Sequence, residues 1–262
     1  MNFGLIIEPP KETVYIFGAR QLGDTPLQPD GNWSGYLPDI ELQNNNGVET
    51  YSCVTQTTNN CIEILERKLY GARTNWSDRL LAKQSGTKEK QGNTPDNVAE
   101  TRRKKGCVEE YEWPFDSSIN TYEKFYADIP RQIETLALGR GAEQAFGYEI
   151  VRSNANDLMN ALQYSPLGFS TYAWTKDENG LHYRPQGETD NHFVTVYGYE
   201  KDKFWLAFDS YTTDGIITLK KIRWDTLPMS AMRYTLTKQV VVPSAWNKFL
   251  VWLRKAIYGL AS

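Results

Sequence analysis

The sequence predicts an α+β fold, with a mainly helical front half and a mainly antiparallel β back half. Before about residue 165, apolar residues recur at spacings of three, four and seven, as on one face of a helix. From Leu167 onward they alternate with a period of two, in short runs separated by turn residues. Helices and strands segregated in this way are typical of a domain with two facing halves.

Composition narrows the functional class. With 262 residues, 40% of them hydrophobic and 23% charged, the chain can form one large soluble domain or one domain with two lobes. A net charge of −3 gives no basic field for nucleic acid, so we expect no nucleic-acid partner. Three cysteines are too few, and odd in number, for a disulfide framework, which favours a reducing compartment.

Residues 1–32 are predicted to form an extended N-terminal arm. The chain starts without a basic n-region, and its first apolar run is too short for a signal peptide. No window approaches 18 consecutive apolar residues, so no transmembrane helix is predicted.

The first long helix is predicted over residues 53–70, ending before Gly71. Residues 55–60 are poor helix formers, so tertiary packing must hold this helix. Further helices are predicted over 77–82, 93–105, 122–133 and 154–164. The basic run at 102–105 is either a nucleic-acid patch or, as we favour, a solvated helix end that complements the helix dipole.

The back half contains five predicted strands, separated by turns. They lie at about 169–174, 193–197, 204–208, 215–219 and 233–236. Asp202 and Lys203 are predicted to form the turn of a hairpin between the second and third strands.

A C-terminal amphipathic helix is predicted over residues 244–262. Its apolar stripe includes Trp246, Phe249 and Leu253, and Lys248 and Arg254 lie outside it. Such a helix packs on its own domain, docks to a protein partner or lies on a membrane surface, and the sequence leaves these alternatives open.

Cys53 stands where a polar segment meets the first helix. The first backbone N–H groups of a helix lack intrahelical partners, and the helix dipole favours negative charge there. Both effects stabilise a thiolate, the nucleophilic form of cysteine. The alternative is a small buried hydrophobic residue, the role we expect for Cys61 and Cys107.

The chain has only two histidines that could serve as a base for Cys53. His192 begins a predicted strand, whereas His182 lies in a more loop-like stretch. Hairpin pairing of 193–199 with 204–208 would bring Asp209 back beside His192, where a carboxylate can orient the imidazole ring. Alternatively, Asp209 is an ordinary turn residue after a strand.

These residues occur in an order that resembles the papain-like cysteine peptidase superfamily. The matching stretches are Ser52-Cys-Val54 at a helix start, Asn191-His-Phe-Val-Thr-Val-Tyr-Gly-Tyr199, and Phe204-Trp-Leu-Ala-Phe-Asp-Ser-Tyr211. In that family, a Cys-Trp-Ala-Phe helix start precedes a His-Ala-Val-x-x-Val-Gly-Tyr strand and an Asn-Ser-Trp-Gly strand end. The resemblance covers about residues 33–225. The N-terminal arm is similar to papain-like proteins of bacteriophage tail or late gene regions.

The resemblance implies a papain-like two-lobed fold over residues 33–243, with a mainly helical lobe at 33–150 and a mainly β lobe at 151–243. It also implies catalytic Cys53, His192 and Asp209, with Ser52, Asn191 and Tyr211 lining the substrate groove. Gln43 is the nearest candidate for the oxyanion glutamine, although it lies ten residues before the cysteine and the family's lies six. Asp209 replaces the family's Asn. No N-terminal domain of propeptide length is present, so latency by a removable prodomain is not implied.

The function expected from these residues is hydrolysis of a peptide or isopeptide bond in a peptide, protein or peptidoglycan substrate, through an acyl-enzyme. No cofactor and no metal site are expected, because the two histidines and scattered carboxylates lack ligand spacing. The alternatives are a non-catalytic papain-like module in a larger assembly, such as a phage virion, and an acyl transferase of the transglutaminase type. A cytoplasmic or virion-associated location would fit each of these.

Overall fold

A long helix, α1 (Cys53–Tyr70), forms the centre of the computed structural model, which describes residues 3–9, 15–17, 26–211 and 219–238. Its first 14 residues are all buried, including the threonines that make it a poor helix by propensity. Thr55 and Thr58 donate hydrogen bonds back to carbonyls of the preceding turn, Ser52 O at 2.7 Å and Val54 O at 2.8 Å. Gly71 ends the helix at φ 67°, as predicted.

Five further helices are described. They are α2 (Asp78–Ser85), α3 (Pro95–Lys105), α4 (Tyr122–Phe125), α5 (Arg131–Glu143) and α6 (Ala155–Leu162). The side chain of Thr94 caps α3 by accepting the Asn97 N–H at 3.3 Å, and Gly106 follows its last residue. The predictions for α1, α3 and α6 are confirmed within a few residues.

The prediction of one helix over residues 122–133 is wrong. Helix α4 ends at Phe125, and α5 begins at Arg131, directly after Pro130. Proline lacks an N–H and disfavours helical backbone in the residue before it, so it suits a helix start and interrupts a continuing helix. Arg102 is also not part of a solvated helix end: it is buried, with its guanidinium 4.6 Å from the Trp76 ring centroid.

The strands form a mixed sheet in the described part of the chain. They are β1 (Gln144–Ile150), β2 (Leu167–Thr171), β3 (Thr175–Lys176), β4 (His182–Tyr183), β5 (His192–Glu200), β6 (Phe204–Phe208), β7 (Leu219–Arg223) and β8 (Ala231–Lys238). Their order is β1-β8-β2-β5-β6-β7-β4-β3, and the pairing is antiparallel except between β4 and β7. The sequence pattern did not predict β1, which pairs with β8 along its whole length.

Helix α1 packs against the middle of this sheet. Thr57 Oγ1 donates a hydrogen bond of 2.9 Å to Phe193 O on β5, and Cys61 is fully buried beside Thr195. Cys61 and Cys107 are buried free cysteines, in agreement with their predicted structural roles. The predicted hairpin of β5 and β6 forms, with a bulge between Val196 and Gly198.

Two predicted elements fall on residues that the structure does not describe. The C-terminal helix at 244–262 lies outside the described residues, as does most of the strand predicted at 215–219, whose last residue, Leu219, begins β7. Among the helices that are described, none is long and apolar enough to cross a membrane.

Candidate active site

Cys53 is the first residue of α1, and Ser52 is its N-cap. Tyr51 turns the chain into the helix with a left-handed backbone, φ 56°. The Cys53 side chain is fully buried, and the backbone N–H groups of Phe193 and Val54 partly offset the effect of burial on its pKa. Burial, followed by the negative charges of Asp209 and Glu49, raises the pKa of the Cys53 thiol well above its usual value. In this conformation the thiol form is therefore favoured.

His192 and Asp209 meet at one end of the β5–β6 hairpin. His192 is the first residue of β5, and Asp209 directly follows β6. His192 Nε2 lies 2.6 Å from Asp209 Oδ1, and both side chains are fully buried. The other ring nitrogen, Nδ1, has no hydrogen-bond partner among the described residues. Because Nε2 is occupied by Asp209, Nδ1 is the nitrogen free to exchange a proton.

Aromatic rings hold the imidazole of His192 edge to face. Phe3, Trp174 and Tyr211 lie at ring-centroid distances of 5.8, 5.5 and 5.4 Å from it. The second histidine, His182, contacts Trp174 from β4 and does not contact Asp209 within hydrogen-bond distance. Burial, with the charges of Lys176 and Lys220, lowers the pKa of His182 to about 4.

Gln43 lies next to the Asp209–Tyr211 stretch despite its larger sequence distance from Cys53. Its Nε2 lies 2.9 Å from Tyr211 Oη and 2.8 Å from Glu49 Oε1, and its Oε1 accepts a 2.9 Å hydrogen bond from Ser210 Oγ. A 3₁₀ turn at Asn45–Gly47 takes up part of the longer loop between Gln43 and Cys53. The structure therefore brings Gln43 to the same end of the sheet as His192.

The three predicted groove residues have different surroundings. Ser52 is buried, and its hydroxyl pairs with Thr50 Oγ1 at 2.6 Å. Asn191 Oδ1 accepts the Ala173 N–H at 2.9 Å. The Tyr211 hydroxyl donates to Glu49 Oε2. Among these, Tyr211 is the one whose ring contacts His192.

Residues 3–7, here called the N-terminal segment, lie across this site, which no pattern in the sequence indicated. Phe3 N–H donates to Asn191 O at 3.0 Å, and Gln43 Nε2 donates to Phe3 O at 3.0 Å. Asn93 N–H donates to Gly4 O at 2.9 Å, and Ile6 N–H donates to Asn93 O at 2.8 Å. The segment thus binds through its backbone, with a bend at Gly4.

Lys220 is another part of the site that the sequence pattern did not indicate. Its ammonium lies 2.7 Å from Asp209 Oδ2, and both side chains are buried. A cation near a buried carboxylate is expected, because an unpaired buried charge is costly. The sequence offered Lys220 and Lys221 as neighbours without indicating which faces inward.

No metal centre is apparent in the part of the chain that the structure describes. No group of three or more His, Cys, Asp or Glu side chains there could hold a metal ion. The side chains predicted for the site supply a thiol, an imidazole, a carboxylate and an amide.

The chain resembles solved structures in fold, and two of them illustrate the likeness. Digestive procathepsin L 3 of Tenebrio molitor larval midgut matches with a TM-score of 0.61 and 16% identity, over 85% of this chain and 73% of that chain. The bromelain protease from Ananas comosus in complex with the E64 inhibitor matches with a TM-score of 0.56 and 18% identity, over 79% of this chain and 98% of that chain. No protein-family model matches the sequence, and no curated protein matches it. The fold is therefore papain-like and α+β, as predicted.

Proposed function

We propose that the chain is a cysteine peptidase or amidase that cleaves a peptide or isopeptide bond. The observation that carries this proposal is the 2.6 Å contact between His192 Nε2 and Asp209 Oδ1, with Cys53 buried at the start of α1, the helix that bonds to β5 through Thr57 and Phe193. A carboxylate on one ring nitrogen fixes the tautomer and leaves the other nitrogen to exchange a proton with a nucleophile.

The proposed reaction proceeds through an acyl-enzyme. His192 Nδ1 takes the Cys53 proton, and the sulfur forms a bond to the substrate carbonyl carbon. The C–N bond then breaks as His192 returns that proton to the leaving amine. Water, deprotonated by His192, attacks the thioester and releases the acid, and the proton returns to the sulfur.

Gln43 is the candidate side-chain donor for the oxyanion of the tetrahedral intermediate. Its Nε2 already donates to a backbone carbonyl, that of Phe3, which supports this role. The second donor would be the Cys53 N–H, because the first N–H groups of a helix have no intrahelical partner. Removing one such donor typically costs a factor of about 100 to 1,000 in kcat.

The N-terminal segment supports a peptide as the substrate class. Its backbone bonds to the Asn191 and Asn93 backbones and to the Gln43 amide. Main-chain hydrogen bonds of this kind bind peptides irrespective of side chain. A protein or peptidoglycan cross-peptide would satisfy the same contacts.

A thiol-directed inhibitor tests the proposal. We expect an irreversible peptidyl epoxide to modify Cys53 in the wild type, as shown by peptide mapping, and to fail in His192→Ala. His182→Ala is the matched control and should be modified as the wild type is. Equal modification of His192→Ala and wild type would contradict the proposal. Product analysis with added methylamine separates hydrolysis, which forms an acid, from acyl transfer, which forms the methylamide.

The burial of Cys53 favours one alternative, a non-catalytic papain-like module of a larger assembly. The thiol is fully buried and its pKa is raised, so Cys53 is unreactive in this conformation, in which the N-terminal segment is bound. The phage-type similarity of the N-terminal arm suggests a virion as such an assembly. Absence of Cys53 modification, even after displacement of the N-terminal segment, would favour this alternative.

A further inference from the structure

Lys220 occupies an inward-facing position on a strand where a hydrophobic residue is usual. On β7 it pairs with Ala207 of β6, and Asp209 lies two residues beyond Ala207, on the same face of the sheet. Only 4% of Lys220 is exposed, whereas its neighbour Lys221 is exposed. Lysine is almost never fully buried unless it is paired, so the contacts of its ammonium indicate why it is there.

The ammonium of Lys220 is held by three groups around Asp209. It forms an ion pair with Asp209 Oδ2 at 2.7 Å and donates to Tyr211 O at 2.8 Å. It also lies 4.8 Å from the ring centroid of Trp174, whose edge contacts His192. Each of these neighbours belongs to the surroundings of the imidazole.

The two carboxylate oxygens of Asp209 therefore have separate partners. Oδ1 faces His192 Nε2 at 2.6 Å, and Oδ2 faces Lys220 Nζ at 2.7 Å. In a buried site, opposite charges at this distance largely cancel each other's field. The pair then acts on His192 as a net neutral hydrogen-bond acceptor.

We propose that Lys220 is a positioning residue for the Cys53–His192 chemistry, which it serves by neutralising Asp209 and fixing the orientation of its carboxylate. This inference rests on the proposed function. Without Lys220, the negative charge of Asp209 would hold a proton on His192 and hinder its transfer to the leaving amine. An uncompensated charge on Asp209 would also oppose formation of the Cys53 thiolate, because the pKa of that thiol responds to the charge of Asp209.

Titration of the histidine ring protons by NMR tests this inference without requiring activity. The chain has only two histidines, and a His182→Gln variant assigns the His192 resonance. His182 also faces Lys220, from β4, so its resonance must be separated from that of His192. We expect Lys220→Met to move the His192 titration midpoint to higher pH by about one unit or more.

Four further variants, three single and one double, identify the cause of the shift. Lys221→Met, on the same strand but exposed, should leave the midpoint unchanged. Lys220→Arg keeps the positive charge, so its His192 titration midpoint should stay close to that of the wild type. Asp209→Asn leaves the Lys220 charge uncompensated, and combining it with Lys220→Met makes the pair neutral again. The double variant should therefore return the midpoint towards the wild-type value.

An unshifted midpoint in Lys220→Met would overturn the inference. If Lys220→Met does not fold, Asp209→Asn is compared with the double variant instead. Asp209→Asn leaves the buried Lys220 ammonium without its partner, so removing Lys220 from that variant should change the His192 titration midpoint and raise the thermal stability. An identical midpoint in those two variants would likewise overturn the inference.

Cys53 alkylation by iodoacetamide, measured against pH, separates the role of Lys220 from the proposed function. A reactive wild type with an unchanged Lys220→Met profile contradicts only the role of Lys220, whereas equal reactivity of wild type and His192→Ala contradicts the proposed function.

Discussion

Replacing Gly4 by alanine tests whether the N-terminal segment closes the cleft over Cys53. Gly4 has φ 113°, and a Cβ built on it would lie 2.2 Å from Tyr51 O and 2.5 Å from Tyr51 C. Those are backbone atoms at the start of α1 and cannot move aside as the end of a side chain could. Alanine at this position should therefore force the segment out of the cleft while leaving the rest of the fold unchanged.

In the closed state the N-terminal segment covers Cys53, and in the open state it is displaced. The free-energy difference between the two states can be calculated from the contacts of the segment. The four hydrogen bonds of the segment contribute about 4 kcal/mol at a net ~1 kcal/mol each. Burial of Leu5, which is 3% exposed, and partial burial of Phe3 add about 4 kcal/mol. Ordering residues 3–6, the part of the segment that makes these contacts, costs about 6 kcal/mol at ~1.5 kcal/mol each. The remainder, about 2 kcal/mol, favours the closed state by about 30-fold.

The assay is the rate at which iodoacetamide alkylates Cys53, followed by mass spectrometry of its peptide. If alkylation requires opening, Gly4→Ala should raise the rate by up to about 30-fold, because the open state becomes the major one. Gly35→Ala is the matched control, since a Cβ there meets no atom within 4 Å, and it should alkylate at the wild-type rate. A folded Gly4→Ala variant that alkylates no faster than wild type would refute the idea that the segment closes the site.

Three further predictions follow from the site and its surroundings. Gln43→Ala should lower kcat for amide hydrolysis by about 100-fold or more, while Cys53 alkylation, which forms no oxyanion, should not slow; a parallel loss of both would argue against an oxyanion role. Burial, with the charge of Glu41 adding to it, raises the pKa of Glu110 to about 8 from an ordinary 4.5. The folded chain then keeps a proton that the unfolded chain loses, so the free energy of unfolding should fall as pH rises from about 4.5 to 8. Glu110→Gln should reduce that slope in urea titrations, to which Glu41 and Glu63, whose pKa values burial also raises, contribute as well. The exposed Glu134→Gln should leave the slope unchanged; equal slopes in the two variants would contradict the role of Glu110. Ile62→Ala, at a fully buried position of α1, should cost about 2–5 kcal/mol of unfolding free energy, and a cost below 1 kcal/mol would contradict the packing described for this helix.

Much of the papain-like fold could be predicted because its signals are local. The apolar spacing, Gly71 and the Thr94-Pro95 start fix helices within a few residues of chain, and alternation fixes the strands. The hairpin was predictable because its turn is short, and the contact between His192 and Asp209 follows from its pairing. The catalytic roles of Cys53, His192, Asp209 and Gln43 remain predictions that the proposed experiments test.

Contacts between distant parts of the chain could be identified only from the tertiary structure. Strand β1 has no partner near it in sequence and is held by β8, nearly 90 residues away along the chain. Helix α5 was missed because the apolar pattern continued past Pro130, whose missing N–H breaks the helix. The high pKa of the Cys53 thiol is likewise set by burial under distant segments, which no local pattern records.

By itself, the sequence determined most of the order of the elements and pointed to candidate site residues, because propensity, capping and periodicity act over a few neighbouring residues. Only the tertiary structure decided that Lys220 faces Asp209 while Lys221 faces solvent, and that residues 3–7 lie across the cleft. The physical reason is that burial and charge pairing depend on distances in space, which chain separation does not set.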